Sequence, residues 1–144
     1  MAFNKAFHVK NEAALAEVAA EIAANLPKGA LLALEGDLGA GKTALARALI
    51  RHKTGKPQQD VPSPTFTLVQ TYEAPDGEIW HFDLYRLKSP EEVYEIGWED
   101  AQSAASLMVV EWPSRIGALI PFNAVKANIA INTDGTRTIT VGSP

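Results

Sequence analysis

The sequence predicts a single α/β domain: a central, mostly parallel sheet with antiparallel hairpin additions, flanked by helices. Three observations point there. Ala30-Leu31-Leu32-Ala33-Leu34 is an apolar run without alternation, the pattern of a strand covered on both faces. A glycine-rich turn and a helical pattern follow it directly, which is the order of a βα unit. Asp76-Gly77, between two strand-like runs, is a strong hairpin signal.

Residues 11 to 26 read as an amphipathic helix, because Leu15, Val18, Ala19, Ile22 and Leu26 recur at helical spacing along one face. Asn11 is placed to cap it, and Pro27-Lys28-Gly29 stops it. A second helix is expected over roughly 42 to 52. Residues 53 to 64 are polar and proline-rich and read as a mobile loop. Strands are expected near 65 to 73 and 78 to 85. Ser89-Pro90-Glu91-Glu92 has the signature of a capped helix start. Leu107-Met108-Val109-Val110 is another buried strand, and Pro113 opens a short helix that ends near Pro121. The last segment reads as a hairpin, with strands near 125 to 132 and 137 to 142 around Thr133-Asp134-Gly135-Thr136.

A chain of 144 residues fits one domain of common size and needs no covalent staple to fold. Cysteine is absent, which excludes disulfide frameworks, thiolate zinc sites and cysteine nucleophiles. No apolar run approaches the ~20 residues of a membrane-spanning helix, and the opening residues have no apolar signal core. A cytoplasmic protein is therefore expected, with no membrane partner. The net charge of −4 argues against a surface built mainly to grip nucleic acid backbone. The cationic cluster Arg51, His52, Lys53 and Lys56 reads first as a solvated loop.

Gly36-Asp37-Leu38-Gly39-Ala40-Gly41-Lys42-Thr43 fits the phosphate-binding pattern of Gly, four residues, then Gly-Lys-Ser/Thr. Its setting, between a buried strand and a helix, is the one this P-loop requires. Glycines let the backbone approach phosphates and aim successive N–H groups at them. The helix adds its free N–H groups and the positive end of its dipole. The pattern assigns Gly36, Leu38, Gly39, Ala40, Gly41, Lys42, Thr43 and Ala44 to the nucleotide, with Lys42 on the β- and γ-phosphates and Thr43 on magnesium. ATP and Mg2+ are the expected ligands.

A P-loop needs an acid near the metal at the end of a neighbouring strand. Glu111, just after Val110, fits, and its neighbour Trp112 reads either as core or as a nucleotide contact. Asp83 is the second acid. Alternation in Trp80-His81-Phe82-Asp83-Leu84-Tyr85 puts Trp80, Phe82 and Leu84 on one face and His81, Asp83 and Tyr85 on the other. His81 itself reads more readily as a hydrogen-bonded strand residue than as a catalyst. Thr65, where the mobile loop enters a strand, is either a simple strand start or a switch that closes on the γ-phosphate. The adenine pocket has no sequence signature; Phe7 and Trp112 are the only aromatic candidates weighed for it.

Together, the P-loop, Ser63-Pro64-Thr65-Phe66-Thr67-Leu68-Val69, His81-Phe82-Asp83-Leu84-Tyr85-Arg86-Leu87, Glu95-Ile96-Gly97 and Val110-Glu111-Trp112-Pro113 resemble the TsaE family in kind and order. The resemblance covers most of residues 30 to 115 and gives no specific match beyond about residue 116. It implies a single-domain, Mg-dependent ATPase of bacterial tRNA threonylcarbamoyladenosine synthesis, slow without its partners TsaB and TsaD, whose hydrolysis resets the complex between rounds. Contact with tRNA is expected to run through that complex. The resemblance makes Lys42 the phosphate lysine, Thr43 the magnesium ligand, Thr65 the switch threonine, Asp83 the active-site acid and Glu111 the strand-end acid near magnesium. Trp112 matches a tryptophan close to the nucleotide. Ala44 departs from the pattern, since many relatives carry a hydroxyl there; the backbone N–H remains, so little change is expected.

Other readings of the P-loop stay open on sequence. A small-molecule kinase would need an acceptor pocket and an arginine-bearing lid, and only Arg86 and Arg115 lie near the candidate segments. A GTPase would need a base-reading Asn-Lys-x-Asp, which is absent. A module that docks with ATP but hardly turns it over shares every motif above.

Overall fold

In a computed structural model that describes residues 3–144, the two buried runs of the sequence lie side by side at the centre of a seven-stranded sheet. The chain runs β1 (Asn4–Val9), α1 (Glu12–Ala24), β2 (Ala30–Glu35), α2 (Lys42–Thr54), β3 (Val69–Tyr72), β4 (Ile79–Asp83), α3 (Trp98–Ala104), β5 (Leu107–Glu111), β6 (Val125–Ile131) and β7 (Arg137–Gly142). The spatial order is β1-β7-β6-β2-β5-β4-β3. β2 pairs in parallel with β5 and β6, and β4 with β5. β3–β4, β6–β7 and β1–β7 are antiparallel. The expected fold class is borne out: a parallel centre extended by hairpins on both sides.

Local chemistry explains the element ends. The Asn11 side chain accepts from the Ala14 N–H at 2.9 Å and caps α1. Glu92 reaches back to the Ser89 N–H at 2.8 Å, although the helix it opens, Pro90–Ile96, is 3-10 rather than α. The cationic cluster is not simply a solvated loop. Arg51, His52 and Lys53 form the last turn of α2, where positive charge suits the helix dipole, and Lys53 pairs with Asp76 at 3.0 Å.

Each face of the sheet has its own core. Leu32 and Leu34 of β2, with Leu107 and Val109 of β5, pack under α1 and α2 with Ile22, Leu45 and Leu49. Leu31, Phe82, Met108 and Val110 pack on the other side with Trp98 and Ile116. The Phe82 and Trp98 rings meet edge to face, 5.1 Å apart. Covering on both faces is why β2 and β5 carry no polar alternation.

Two elements escaped sequence reading, β1 and α3, and the first of the expected strands begins late. Residues 65 to 68 are turn, and the strand starts only at Val69. Leu68 stands at a left-handed φ of 71°, and its N–H donates to the Pro64 carbonyl rather than to a ladder. Residues 63 to 67 therefore stay outside the sheet, while the Leu68 carbonyl accepts from the Asp83 N–H at 2.9 Å.

Candidate functional site

Parallel register brings the two acids together. β2 and β5 align Leu34 with Glu111, and β5 and β4 align Glu111 with Asp83. Both carboxylates thus lie at the carboxyl ends of adjacent central strands, the edge where open α/β sheets hold ligands. The P-loop leaves β2 at the same edge, and α2 begins at Lys42 with Gly41 as its N-cap. Gly36 cannot be replaced without strain: its φ is 152°, and a Cβ there would lie 2.5 Å from the Ile129 carbonyl oxygen. Gly36→Ala is expected to destabilise the fold by about 1–3 kcal/mol, read as a lower urea midpoint at unchanged slope.

Among the described residues six polar side chains are buried, and four of them, Lys42, His81, Asp83 and Glu111, belong to this one cluster. Charged groups are buried only where partners hold them. The Lys42 ammonium donates to the carbonyls of Gly36 (2.6 Å) and Asp37 (3.0 Å) and lies 4.0 Å from the centre of the Trp112 ring. Burial lowers its pKa, and the carboxylates of Glu111, Asp83 and Asp37 work against that shift. Trp112 reaches this position from a left-handed backbone at φ 58°, unusual for a bulky residue. Its ring also packs 4.8 Å from Tyr85, which Arg115 covers in turn.

Glu111 accepts from the Thr43 hydroxyl at 2.9 and 3.1 Å and is bonded to His81 Nε2 at 2.6 Å. Asp83 accepts from the Thr65 hydroxyl at 2.9 Å and from the Tyr85 N–H at 3.0 Å. Since the Thr65 proton goes to the carboxylate, the 2.7 Å contact between Ser63 and Thr65 must be a Ser63 hydroxyl donating. Leu38, Gly39, Gly41, Lys42, Thr43 and Thr65 join Asp83, Glu111 and Trp112 around one cleft of about 280 Å3. Of the residues assigned to nucleotide and metal, all but Gly36 and Ala40 line this cleft. Phe7 does not: it is buried in the core under α1.

A second cavity, of about 230 Å3, opens on the other side of the P-loop, between the start of α1 and the β6–β7 hairpin. Ala40, Gly41 and Ala44 form one wall, and Ile129, Arg137 and Ile139 another. Arg137 ties the hairpin to the loop, with Nε donating to the Ala40 carbonyl at 2.9 Å. Nothing in the sequence marked this arginine, because its partner lies far away in the chain.

The cleft can do one kind of chemistry well. It joins N–H groups at a helix start, a lysine, a hydroxyl and two carboxylates at one sheet edge, which is the equipment of a P-loop nucleoside triphosphatase.

Comparison with known proteins agrees with this geometry. The model of the family described as "Threonylcarbamoyl adenosine biosynthesis protein TsaE" matches residues 9–139. The tRNA threonylcarbamoyladenosine biosynthesis protein TsaE of Rickettsia typhi is 42% identical over 115 residues, covering 80% of this chain and 78% of its own. That of Haemophilus influenzae is 40% identical over 107 residues, 74% of this chain and 64% of its own. The crystal structure of Bacillus subtilus YdiB superposes with a TM-score of 0.77 at 26% identity, covering 99% of this chain and 87% of that one. The family match runs into the C-terminal hairpin, to residue 139, past residue 116 where no motif was legible.

Proposed function

The chain belongs to the TsaE family, and from that premise we propose that it binds and hydrolyses ATP as a component of tRNA threonylcarbamoyladenosine synthesis. One observation carries the ATPase reading: the Lys42–Thr43 pair of the P-loop meets two buried strand-end acids in one cleft. The nucleoside is assigned to the second cavity, beside Ala44 and Arg137, because it adjoins the P-loop and is lined mainly by apolar groups that suit a base.

The donor set fits magnesium, which takes hard oxygen ligands and leaves part of its shell to phosphates and water. Thr43 would hold it directly, with Glu111 and Asp83 in its inner or outer shell. When bound, Mg2+ neutralises charge on the β- and γ-phosphate oxygens. The reaction is in-line attack of water on the γ-phosphorus, with ADP and phosphate as products. Lys42 exchanges its carbonyl acceptors for phosphate oxygens. Asp83, held by Thr65 and the Tyr85 N–H, orients the water. Trp112 keeps one side of the lysine dry.

Hydrolysis by the isolated chain is proposed to be slow and to rise when TsaB and TsaD dock in the cytoplasm, resetting their complex between rounds. The mouth of the cleft supports a docked partner. Leu38 is 72% exposed and Phe66 80% exposed, and Arg86 stacks on Phe66 at 4.3 Å. Thr65, next to Phe66, is then in position to turn from Asp83 toward the γ-phosphate. Contact with tRNA runs through the complex.

The role is tested in a bacterium lacking its own TsaE. The wild-type chain should restore threonylcarbamoyladenosine in bulk tRNA, and Lys42→Ala should not. Restoration by Lys42→Ala would contradict a role for ATP.

A further inference from the structure

Buried beneath the cleft is a residue that the mechanism above does not use. His81 has no exposed surface and lines neither the cleft nor the cavity beside Ala44. Its Nε2 is 2.6 Å from Glu111 Oε2, while Nδ1 is buried and no group of the described residues bonds to it. The ring sits on β4 two residues before Asp83, opposite Val109, with its Nε2 directed at Glu111.

The short contact fixes which of the two groups donates. A carboxylate oxygen accepts, so the 2.6 Å contact puts an N–H on Nε2, donating to Glu111. The same carboxylate accepts from the Thr43 hydroxyl. A hydroxyl whose proton is committed to Glu111 presents its lone pairs elsewhere, as a metal ligand must.

We propose that His81 is a positioning residue for magnesium: its Nε2–H fixes the rotamer of Glu111, and Glu111 in turn orients the Thr43 oxygen toward the metal. Histidines and carboxylates behind a metal ligand set its affinity in this way, and removing them typically costs about 10–100-fold. The inference rests on the reading that Thr43 and Glu111 hold magnesium. A purely structural histidine at a fully buried site would be satisfied by any side chain of similar volume.

The test titrates Mg2+ into protein with a fluorescent ADP analogue and compares His81→Gln, His81→Asn and His81→Leu. Glutamine places its amide near the Nε2 position, whereas asparagine reaches only the Nδ1 position. The Mg2+ midpoint should rise about tenfold or more in the leucine and asparagine variants and stay near wild type in the glutamine variant. Analogue binding in EDTA should be alike in all. If the leucine variant does not fold, the glutamine–asparagine comparison decides alone. Equal midpoints in glutamine and asparagine variants would overturn the proposal. In the nucleotide-free wild type, imidazole 15N spectra should find Nε2 protonated; an Nε2 without a proton would overturn it too. Wild-type binding that ignores Mg2+ would instead refute the metal reading on which this one rests.

Discussion

Lys42→Ala is expected to weaken ATP binding by about 1.5–3 kcal/mol, or ~10–150-fold, and to cut turnover by a further ~10²–10³-fold. The lysine is already desolvated and held on the two loop carbonyls of Gly36 and Asp37. Phosphate oxygens offer that ammonium stronger, charge-assisted partners than neutral carbonyls do. The binding loss arises from the ground state. The extra loss in turnover arises from charge that develops only as the γ-phosphoryl group leaves. Calorimetry on the variant separates it from an unfolding effect: the Lys42 ammonium bonds to its own loop and lies over Trp112. Arginine is not expected to rescue, because a planar guanidinium cannot occupy the compact space between the loop and the indole ring.

The second large effect is expected at the acids. Glu111→Ala and Asp83→Ala should each lower kcat ~10²–10³-fold while changing ATP affinity less than about tenfold. Both carboxylates are buried and fully engaged, Glu111 by Thr43 and His81, Asp83 by Thr65 and the Tyr85 N–H. Their side chains are therefore pre-set before substrate arrives, which is what transition-state stabilisation needs. The two should also differ. Loss of Glu111 should raise the Mg2+ requirement, whereas loss of Asp83 should leave it closer to wild type and slow the chemical step. Single-turnover measurements at saturating Mg2+ distinguish these, and normal turnover in both variants would sink the assignment.

Much of this site was legible because its residues sit at element junctions, where sequence signals are strongest. The P-loop carries its own spacing, and Glu111 follows an unbroken apolar strand. Asp83 was legible from alternation, although that reading gave the His81 face no particular depth. The structure buries His81 completely, on the face of the sheet where Ile79 of the same strand joins the core with α1 and α2. What sequence alone did not yield depends on pairing across the chain. β1 is an edge strand in which only Phe7 and Val9 are buried, too short a pattern to read without its partner β7. α3 spans seven residues, two turns at most, so helical periodicity has no room to repeat. Thr65 reads as a strand start, yet the chain turns there and pairs only from Val69. Arg137 and the second cavity form where the hairpin folds over the P-loop, 97 positions away in sequence from its partner Ala40.

The central claim is that this cleft hydrolyses Mg-ATP in service of a larger assembly. The most direct test is steady-state ATP turnover by the purified chain, alone and with a purified TsaB–TsaD pair, with Lys42→Ala as the control. The account predicts a low rate alone, a clear rise with the pair, and neither in the Lys42→Ala protein. Tight ATP binding with a rate that the pair leaves unchanged would contradict it and return the site to the kinase or docking readings.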